Sequence, residues 1–264
     1  MERINGNVIF ECCPQISSFA AVVGKKEGQG PLGAYFDRII RDSYVGKDTF
    51  EQAESELLST AVRIALNKGD LEAGDVDLAC CGDLLNQCVA SSFAMRPYGI
   101  PYIGVYGACS TMALSIIVAA AILESGGANR AVCAASSHYC TAERQYRFPL
   151  EYGSQRPPTA QWTVTGSGAC VLTASNDLNA SAGFGTRSKT LHDKGGHSNH
   201  HSDFPSEPST GSHDADRVPY LYAARIGRIL DYNITDQNNM GAAMAPAVVK
   251  LGTKIIDDKY ENNC

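Results

Sequence analysis

The sequence contains no uninterrupted run of about 18 apolar residues, the length at which a helix can cross a membrane. Its first residues, Met1 to Gly6, lack the apolar region of a secretory signal peptide. The sequence therefore predicts neither a membrane span nor secretion, and we expect a chain in the cytoplasm or on the periphery of a membrane.

The sequence also has no excess of basic over acidic residues. The 264 residues include 22 Lys and Arg against 28 Asp and Glu, which gives a formal net charge of −6 at pH 7. Nucleic acids and anionic lipids attract proteins through basic surfaces, so this balance argues against general binding to either. We expect no nucleic-acid partner.

Cysteine is abundant, but its spacing excludes two common uses. None of the ten cysteines forms a CxxC pair, and Cys12-Cys13 and Cys80-Cys81 are adjacent residues, so a zinc site is not indicated. A chain of this length with several predicted helices is also too large for a disulfide scaffold. The sequence instead predicts free thiols in a reducing compartment.

The histidines are concentrated in one polar segment, residues 176–219, which shows neither helical nor strand periodicity. Five of the six lie there, namely His192, His197, His200, His201 and His213. Imidazole and aspartate are metal ligands, so a metal site and a solvated loop are both compatible with this composition. Because no predicted element would fix a coordination geometry, we predict a loop and no metal.

Strand and helix patterns alternate along the rest of the chain. The predicted strands are 16–23, 75–81, 101–106, 130–137, 166–173 and 222–230, and the predicted helices are 49–68, 85–95 and 112–123. Such alternation predicts βαβ units and an α/β fold. Residues 138–166 are predicted to form a long irregular connection, and the tail from Lys250 is predicted to be short and polar.

The most informative stretch joins a short strand to a wholly apolar helix. Gly107-Ala108 allows a sharp turn after the strand, and residues 112–123 are apolar on every face, which predicts a helix buried all round. Cys109 lies between them, at the positive end of the helix, where a thiolate is stabilised as a nucleophile or anion partner. Because cysteine is also a frequent core residue, a packing role for Cys109 stays open.

Three blocks together resemble the stage V sporulation protein AD family, a branch of the thiolase superfamily. They are Tyr106-Gly-Ala-Cys-Ser-Thr111, then Ala135-Ser-Ser-His138 with Thr141-Ala-Glu-Arg-Gln-Tyr-Arg-Phe-Pro149 and Glu151-Tyr-Gly153, and finally Ile234-Thr-Asp-Gln-Asn-Asn-Met-Gly-Ala-Ala-Met-Ala-Pro246. The likeness covers about residues 20–175 and 222–247. The second block is the specific one, since every thiolase-like condensing enzyme has something similar to the first.

The resemblance implies a thiolase-like βαβαβαββ half. In a complete chain a second half follows, and the two halves form αβαβα layers, usually in a homodimer. This sequence shows no second copy. We therefore expect residues 1–175 to form the N-terminal half, residues 176–219 a polar insert, and residues 220–264 the start of a truncated second half.

The resemblance also implies a function. It predicts a sporulation protein that binds dipicolinic acid, as its calcium chelate, for uptake into the spore or release from it. The expected partners are other proteins of the same membrane channel complex on the spore inner membrane, and no cofactor is expected beyond calcium carried by the ligand. Cys109 matches the pocket cysteine of the family, and Asp231, Asp236, His138 and Arg144 are further candidates for ligand binding.

Two other functions stay open. The first is a thiolase-like acyltransferase or condensing enzyme that uses Cys109, which needs an activating base and an oxyanion hole. Such enzymes take their His and Asn partners from the second half, so catalysis is not expected here. The second is a structural subunit that docks on membrane partners through its apolar surface.

Overall fold

The computed structural model describes residues 1–4, 6–146, 163–175, 218–236 and 239–261. The strands are β1 (Glu2–Ile4), β2 (Asn7–Ile9), β3 (Gln15–Gly24), β4 (Arg38–Ile40), β5 (Leu78–Gly82), β6 (Tyr102–Gly104), β7 (Arg130–Ser137), β8 (Gly166–Thr173) and β9 (Ala223–Arg225). The α-helices are α1 (Lys25–Gly28), α2 (Phe50–Lys68), α3 (Val89–Met95), α4 (Thr111–Glu124), α5 (Tyr139–Tyr146) and α6 (Met240–Glu261).

A six-stranded sheet organises the fold, with the strand order β4-β3-β8-β7-β5-β6. Strand β8 runs antiparallel to both of its neighbours, while the other five strands run parallel to one another. Helix α2 packs against β3, β7 and β8, and helix α4 packs against β5, β7 and β8. The two helices contribute to separate core clusters. The α/β class predicted from the sequence is therefore confirmed.

Helix α2 begins where its sequence predicts. The hydroxyl of Thr49 accepts a hydrogen bond from the backbone N–H of Gln52 at 3.2 Å, which satisfies one free donor of the first turn. Leu57, Leu58 and Ala61 recur at helical spacing and are fully buried in the larger core cluster. The helix ends at Lys68, and Gly69 follows as its C-cap.

Helix α4 is only half buried in the described part of the chain, so the prediction of a helix buried all round is wrong there. Thr111, Ser115, Ala119 and Leu123 form one buried stripe at intervals of four residues, on the side that meets the sheet. Ala113 is exposed. The sheet covers one side of a helix, and an apolar composition does not state what covers the other.

Two further segments form helices that were not predicted, because neither has a clear start signal. Residues 139–146 form α5 inside the connection that was predicted to be irregular, so that prediction is wrong there. Residues 240–261 form α6, which contains Pro246 and includes most of the polar tail that was predicted from Lys250 without a helix. In both segments apolar residues recur at helical spacing, but the interior proline and the polar surroundings masked that pattern.

A small sheet, β1-β2-β9, lies apart from the large one. Strand β9 covers only part of the strand predicted over residues 222–230. The chain just before it bonds to the start of β3: Ile16 N–H donates to the Pro219 carbonyl, and Leu221 N–H donates to the Pro14 carbonyl, both at 2.8 Å. The segment that begins at residue 218 thus joins β3 at its amino-terminal end.

Candidate functional site

The carboxyl-terminal edge of the large sheet carries two of the predicted site residues. The five parallel strands all end at this edge, which is where open α/β sheets bind ligands. Of the predicted site residues, Cys109 follows β6 and His138 follows β7. Neighbouring strands lie about 4.8 Å apart, so β6 and β7, separated by β5, lie about 10 Å from one another.

Cys109 lies on a tight turn immediately before α4, as the sequence predicts, and its thiol is exposed. Ala108 adopts a φ of +48°, a conformation that is unusual for a residue other than glycine. The hydroxyl of Ser110 donates to the Gly107 carbonyl at 2.7 Å, and the hydroxyl of Thr111 donates to the Ala108 carbonyl at 2.8 Å. These bonds hold the turn and leave the sulfur accessible.

The end of β5 packs closely against the chain that leads into this turn. Gly82 is buried, and a Cβ atom at its position would lie 2.0 Å from the Val105 carbonyl oxygen and 2.5 Å from the Thr111 Cγ2 atom. The backbone of Val105 is itself tied to β5, because its N–H donates to the Cys81 carbonyl at 3.0 Å. Only glycine fits where β5 approaches the chain that leads into the Cys109 turn.

Asp83, the next residue, is fully buried and organises the chain up to α3. Its carboxylate accepts hydrogen bonds from the backbone N–H of Leu85 at 2.9 Å and of Ser91 at 2.7 Å, and from the Ser91 hydroxyl at 2.6 Å. Three donors satisfy this carboxylate. Its role is therefore to hold the backbone rather than to contact a ligand.

His138 is also fully buried, and both ring nitrogens are engaged. The Nδ1 atom accepts a hydrogen bond from the backbone N–H of Cys140 at 3.1 Å, so the Nε2 atom carries the hydrogen and donates to the Ser43 carbonyl at 2.8 Å. Burial lowers the pKa of His138 and so favours this neutral form. The side chain caps α5 and fixes the loop that contains Ser43.

A cavity of about 400 Å³ lies beside His138, at the ends of β3, β7 and β8. This volume is within the range of small-molecule sites. Its walls come from four segments: Gly24, Lys25, Lys26, Glu27 and Gln29; Ser43; His138, Tyr139 and Cys140; Thr163 and Thr165. The sequence analysis identified only His138 among them, although charged residues directly after β3 were a usable signal.

The charges of the cavity come from α1. Lys25 and Lys26 are exposed. The Glu27 Oε1 atom accepts a hydrogen bond from the Thr165 N–H at 3.1 Å, whereas the Oε2 atom is buried and has no hydrogen-bond partner in the described part of the chain. The cavity lining thus combines two basic residues with one buried carboxylate oxygen that can accept a further donor or a cation.

Asp231, Asp236 and Arg144 are the remaining predicted site residues. Asp231 is exposed, and its Oδ1 atom accepts from the Asn233 N–H at 2.7 Å. Asp236 is also exposed. Arg144 belongs to α5, but its side chain lies outside the described residues. The ligand-binding roles of all five predicted residues stay predictions.

Within the ranges that the structure describes, no cluster of three His, Cys, Asp or Glu side chains could hold a metal ion. The five clustered histidines lie outside these ranges. Among the described helices, none combines the length and the apolar character that crossing a membrane requires.

The fold and the cysteine turn define a mixed α/β protein, similar over part of its length to thiolase-like condensing enzymes. OleA from Xanthomonas campestris matches 65% of this chain and 58% of its own, with a TM-score of 0.45 and 16% identity. The 3-oxoacyl-(acyl carrier protein) synthase III, FabH, from Xanthomonas oryzae matches 65% of this chain and 59% of its own, with a TM-score of 0.43 and 18% identity.

The sequence matches the stage V sporulation protein AD family over residues 5–191 and 210–263, and the chain belongs to that family. Stage V sporulation protein AD of Bacillus subtilis (strain 168) is 37% identical over 239 residues, which are 90% of this chain and 59% of that protein. The chain thus spans about three fifths of the length of this relative.

Proposed function

We propose that this chain binds dipicolinic acid, as its calcium chelate, and takes part in its movement into or out of the spore within a membrane channel complex. Membership of the sporulation family supports the cellular role. The observation that carries the binding proposal is the cavity beside His138, which joins an adequate volume to groups of both charges.

The residues that line the cavity suit the charge, the aromatic ring and the size of this ligand. Dipicolinate is a flat aromatic dianion, and the ammonium groups of Lys25 and Lys26 at the cavity supply charge of the opposite sign. The ring of Tyr139 belongs to the same wall and offers an aromatic surface. The volume of about 400 Å³ leaves room for a ligand of this size together with water.

Glu27 is the reason to include calcium. A carboxylate oxygen without a donor would repel a carboxylate of the ligand, unless a cation lies between them. Calcium prefers oxygen ligands and is carried by the chelate itself, so it can bridge Glu27 and the bound dicarboxylate. Asp231 and Asp236, as acidic residues, face the same requirement if they contact the ligand.

Isothermal titration calorimetry with dipicolinate, with and without calcium, tests this proposal. We expect binding at least about 10-fold tighter with calcium, and a loss of about 10-fold or more in the Lys25→Ala variant, because a charge-assisted hydrogen bond contributes about 1.5–3 kcal/mol. Lys47→Ala is the matched control, since Lys47 pairs with Glu56 instead. Equal affinity with and without calcium would contradict the proposal that calcium bridges Glu27 and the ligand. No binding at millimolar dipicolinate would refute the proposed function.

The expected partners are part of the same proposal. We expect other proteins of the sporulation membrane complex to bind this chain, and we expect two copies to form a homodimer if the chain is complete. If the chain assembles with these partners but binds no dipicolinate, the purely structural subunit is the better description.

A thiolase-like acyltransferase is the second candidate, and the exposed thiol of Cys109 ahead of α4 is the observation that favours it. The described residues offer it no free imidazole, because His138 uses both ring nitrogens in hydrogen bonds. We therefore expect no stable adduct when the chain is incubated with acyl-CoA and analysed by mass spectrometry. A mass increase by one acyl group that the Cys109→Ser variant lacks would reverse this ranking.

A further inference from the structure

A carboxyl group, Glu54, lies fully buried where α2, β7 and α5 meet. It occupies a polar position in the sequence pattern of α2, yet none of its surface is exposed. The Oε1 atom receives a hydrogen bond from the Ser136 hydroxyl at 3.1 Å, and the Oε2 atom lies 2.6 Å from the Thr141 hydroxyl oxygen. Ser136 and Thr141, the hydrogen-bond partners given for Glu54 in the described part of the chain, are not among the residues predicted for the ligand.

The Thr141 hydroxyl can donate a hydrogen bond to only one of two neighbouring acceptors at a time. Its hydroxyl carries one hydrogen but has two acceptors within reach, Glu54 Oε2 at 2.6 Å and the His138 carbonyl oxygen at 2.9 Å. When Glu54 is protonated on Oε2, it donates to Thr141, and Thr141 donates to His138. When Glu54 is ionised, its carboxylate accepts the hydrogen bond that the Thr141 hydroxyl donates. The His138 carbonyl then receives no hydrogen bond from that hydroxyl.

The carbonyl group that gains or loses the Thr141 hydrogen bond belongs to His138, a residue that lines the cavity. His138, Tyr139 and Cys140 line the cavity, and the His138 carbonyl also accepts the backbone N–H groups of Thr141 and Ala142 at 3.0 and 2.9 Å. Thr141 therefore joins the proton on Glu54 to the turn that shapes the site. The route consists of two hydrogen bonds.

We propose that Glu54 is a positioning residue of the cavity: its protonated form holds the turn 138–141 in place, and its ionisation loosens the turn and weakens ligand binding. The link to binding rests on the proposed function. The link between Glu54 and the turn does not.

The environment of Glu54 favours the protonated form. Burial raises the pKa of Glu54 to about 7, with a smaller contribution from the negative charges of Asp83, which follows β5, and Glu51 on α2 itself. The hydroxyls of Thr141 and Ser136 act in the opposite direction. At the start of α5, burial lowers the pKa of His138, which favours its neutral form. The folded state thus retains a proton that the unfolded chain loses near pH 4.5.

Amide hydrogen exchange of residues 139–142 between pH 5.5 and 8.5, corrected for the intrinsic rate, tests this link without a ligand. We expect protection in the unmodified chain to fall about 10-fold through a transition near pH 7. Glu54→Gln should keep the low-pH protection throughout, because its amide NH₂ donates to Thr141 as the protonated acid does. Glu56→Gln on the same helix should behave like the unmodified chain. If the unmodified chain shows no transition, the proposal is overturned, whether or not the variants fold.

Calorimetry with dipicolinate and calcium at the same pH values separates the two proposals. We expect affinity to fall about 10-fold from pH 5.5 to 8.5 in the unmodified chain and to stay level in Glu54→Gln. An exchange transition without any dipicolinate binding refutes the proposed function and leaves the Glu54 link standing. Binding that is independent of pH, despite the exchange transition, refutes the effect on the ligand.

Discussion

Gly82→Ala is expected to lower the free energy of unfolding by about 3 kcal/mol or more. The added Cβ atom would lie 2.0 Å from the Val105 carbonyl oxygen, which is closer than any real contact of this kind. Overpacking a core usually costs about 1–3 kcal/mol, and this site lies at the upper end because the obstacle is backbone rather than a flexible side chain. The loss is measured by urea denaturation monitored by circular dichroism.

The consequence should reach the candidate site as well. To relieve the contact, β5 and the chain after β6 must separate, and Thr111, whose Cγ2 atom would lie 2.5 Å from the new methyl group, opens the first turn of α4. We therefore expect the alkylation rate of Cys109 to change together with stability. Gly168→Ala in β8 is the matched control, because nothing lies within 4 Å of its added Cβ atom. Equal stability of the two variants would show that Gly82 is not a close-approach position.

Asp83→Ala is the second substitution with a large expected effect, a loss of about 3 kcal/mol or more in the free energy of unfolding. Alanine removes the acceptor for the buried N–H groups of Leu85 and Ser91, whereas the Ser91 hydroxyl can still bond to the Cys88 carbonyl at 3.2 Å. Each buried donor left without a partner costs about 1–3 kcal/mol, and the cavity left by the carboxylate adds to this.

Asp48→Ala is the control for this prediction, because Asp48 is exposed and should change stability by less than about 0.5 kcal/mol. Asp83→Asn should fall between the two, since it keeps one acceptor oxygen but turns an NH₂ group towards N–H donors. The same denaturation experiment ranks the three variants. A fully stable Asp83→Ala chain would contradict the view that this carboxylate holds the backbone between β5 and α3.

The two predictions concern adjacent residues with a shared purpose. Gly82 lets the chain after β6 approach β5, and Asp83 fixes the chain that leads from β5 into α3. Both lie at the carboxyl-terminal edge of the sheet, between the Cys109 turn and the cavity beside His138. We therefore expect both substitutions to affect the stability of this edge and, through Gly82, the Cys109 turn.

Local signals in the sequence were sufficient for several features. The capping residue Thr49 and the apolar positions after it predicted α2 closely, because a helix start depends on neighbours within one turn. The turn at Cys109 was also predicted, since glycine, a short strand and an apolar helix are consecutive in the chain. The α/β class followed from the alternation of these elements.

Other features depend on which segments the sheet brings together. The cavity takes its walls from residues far apart in the chain, and no local pattern connects Glu27, Ser43 and His138. Glu54 is similar: its helical position looked polar, and only the packing of β7 and α5 over it excludes water. The exposed side of α4 shows the converse, because the eleven apolar residues among 112–123 indicate a need for burial and do not indicate which surface provides it.

The sequence by itself thus determined helix α2, the class of fold, the position of the Cys109 turn and the family. The tertiary structure alone decided where the cavity lies, that His138 is a buried cap, and that burial raises the pKa of Glu54 to about 7. The physical reason is the range of the interactions involved. Caps, turns and periodicity act within a few residues, whereas burial and the pKa values that it shifts depend on atoms contributed by the whole chain.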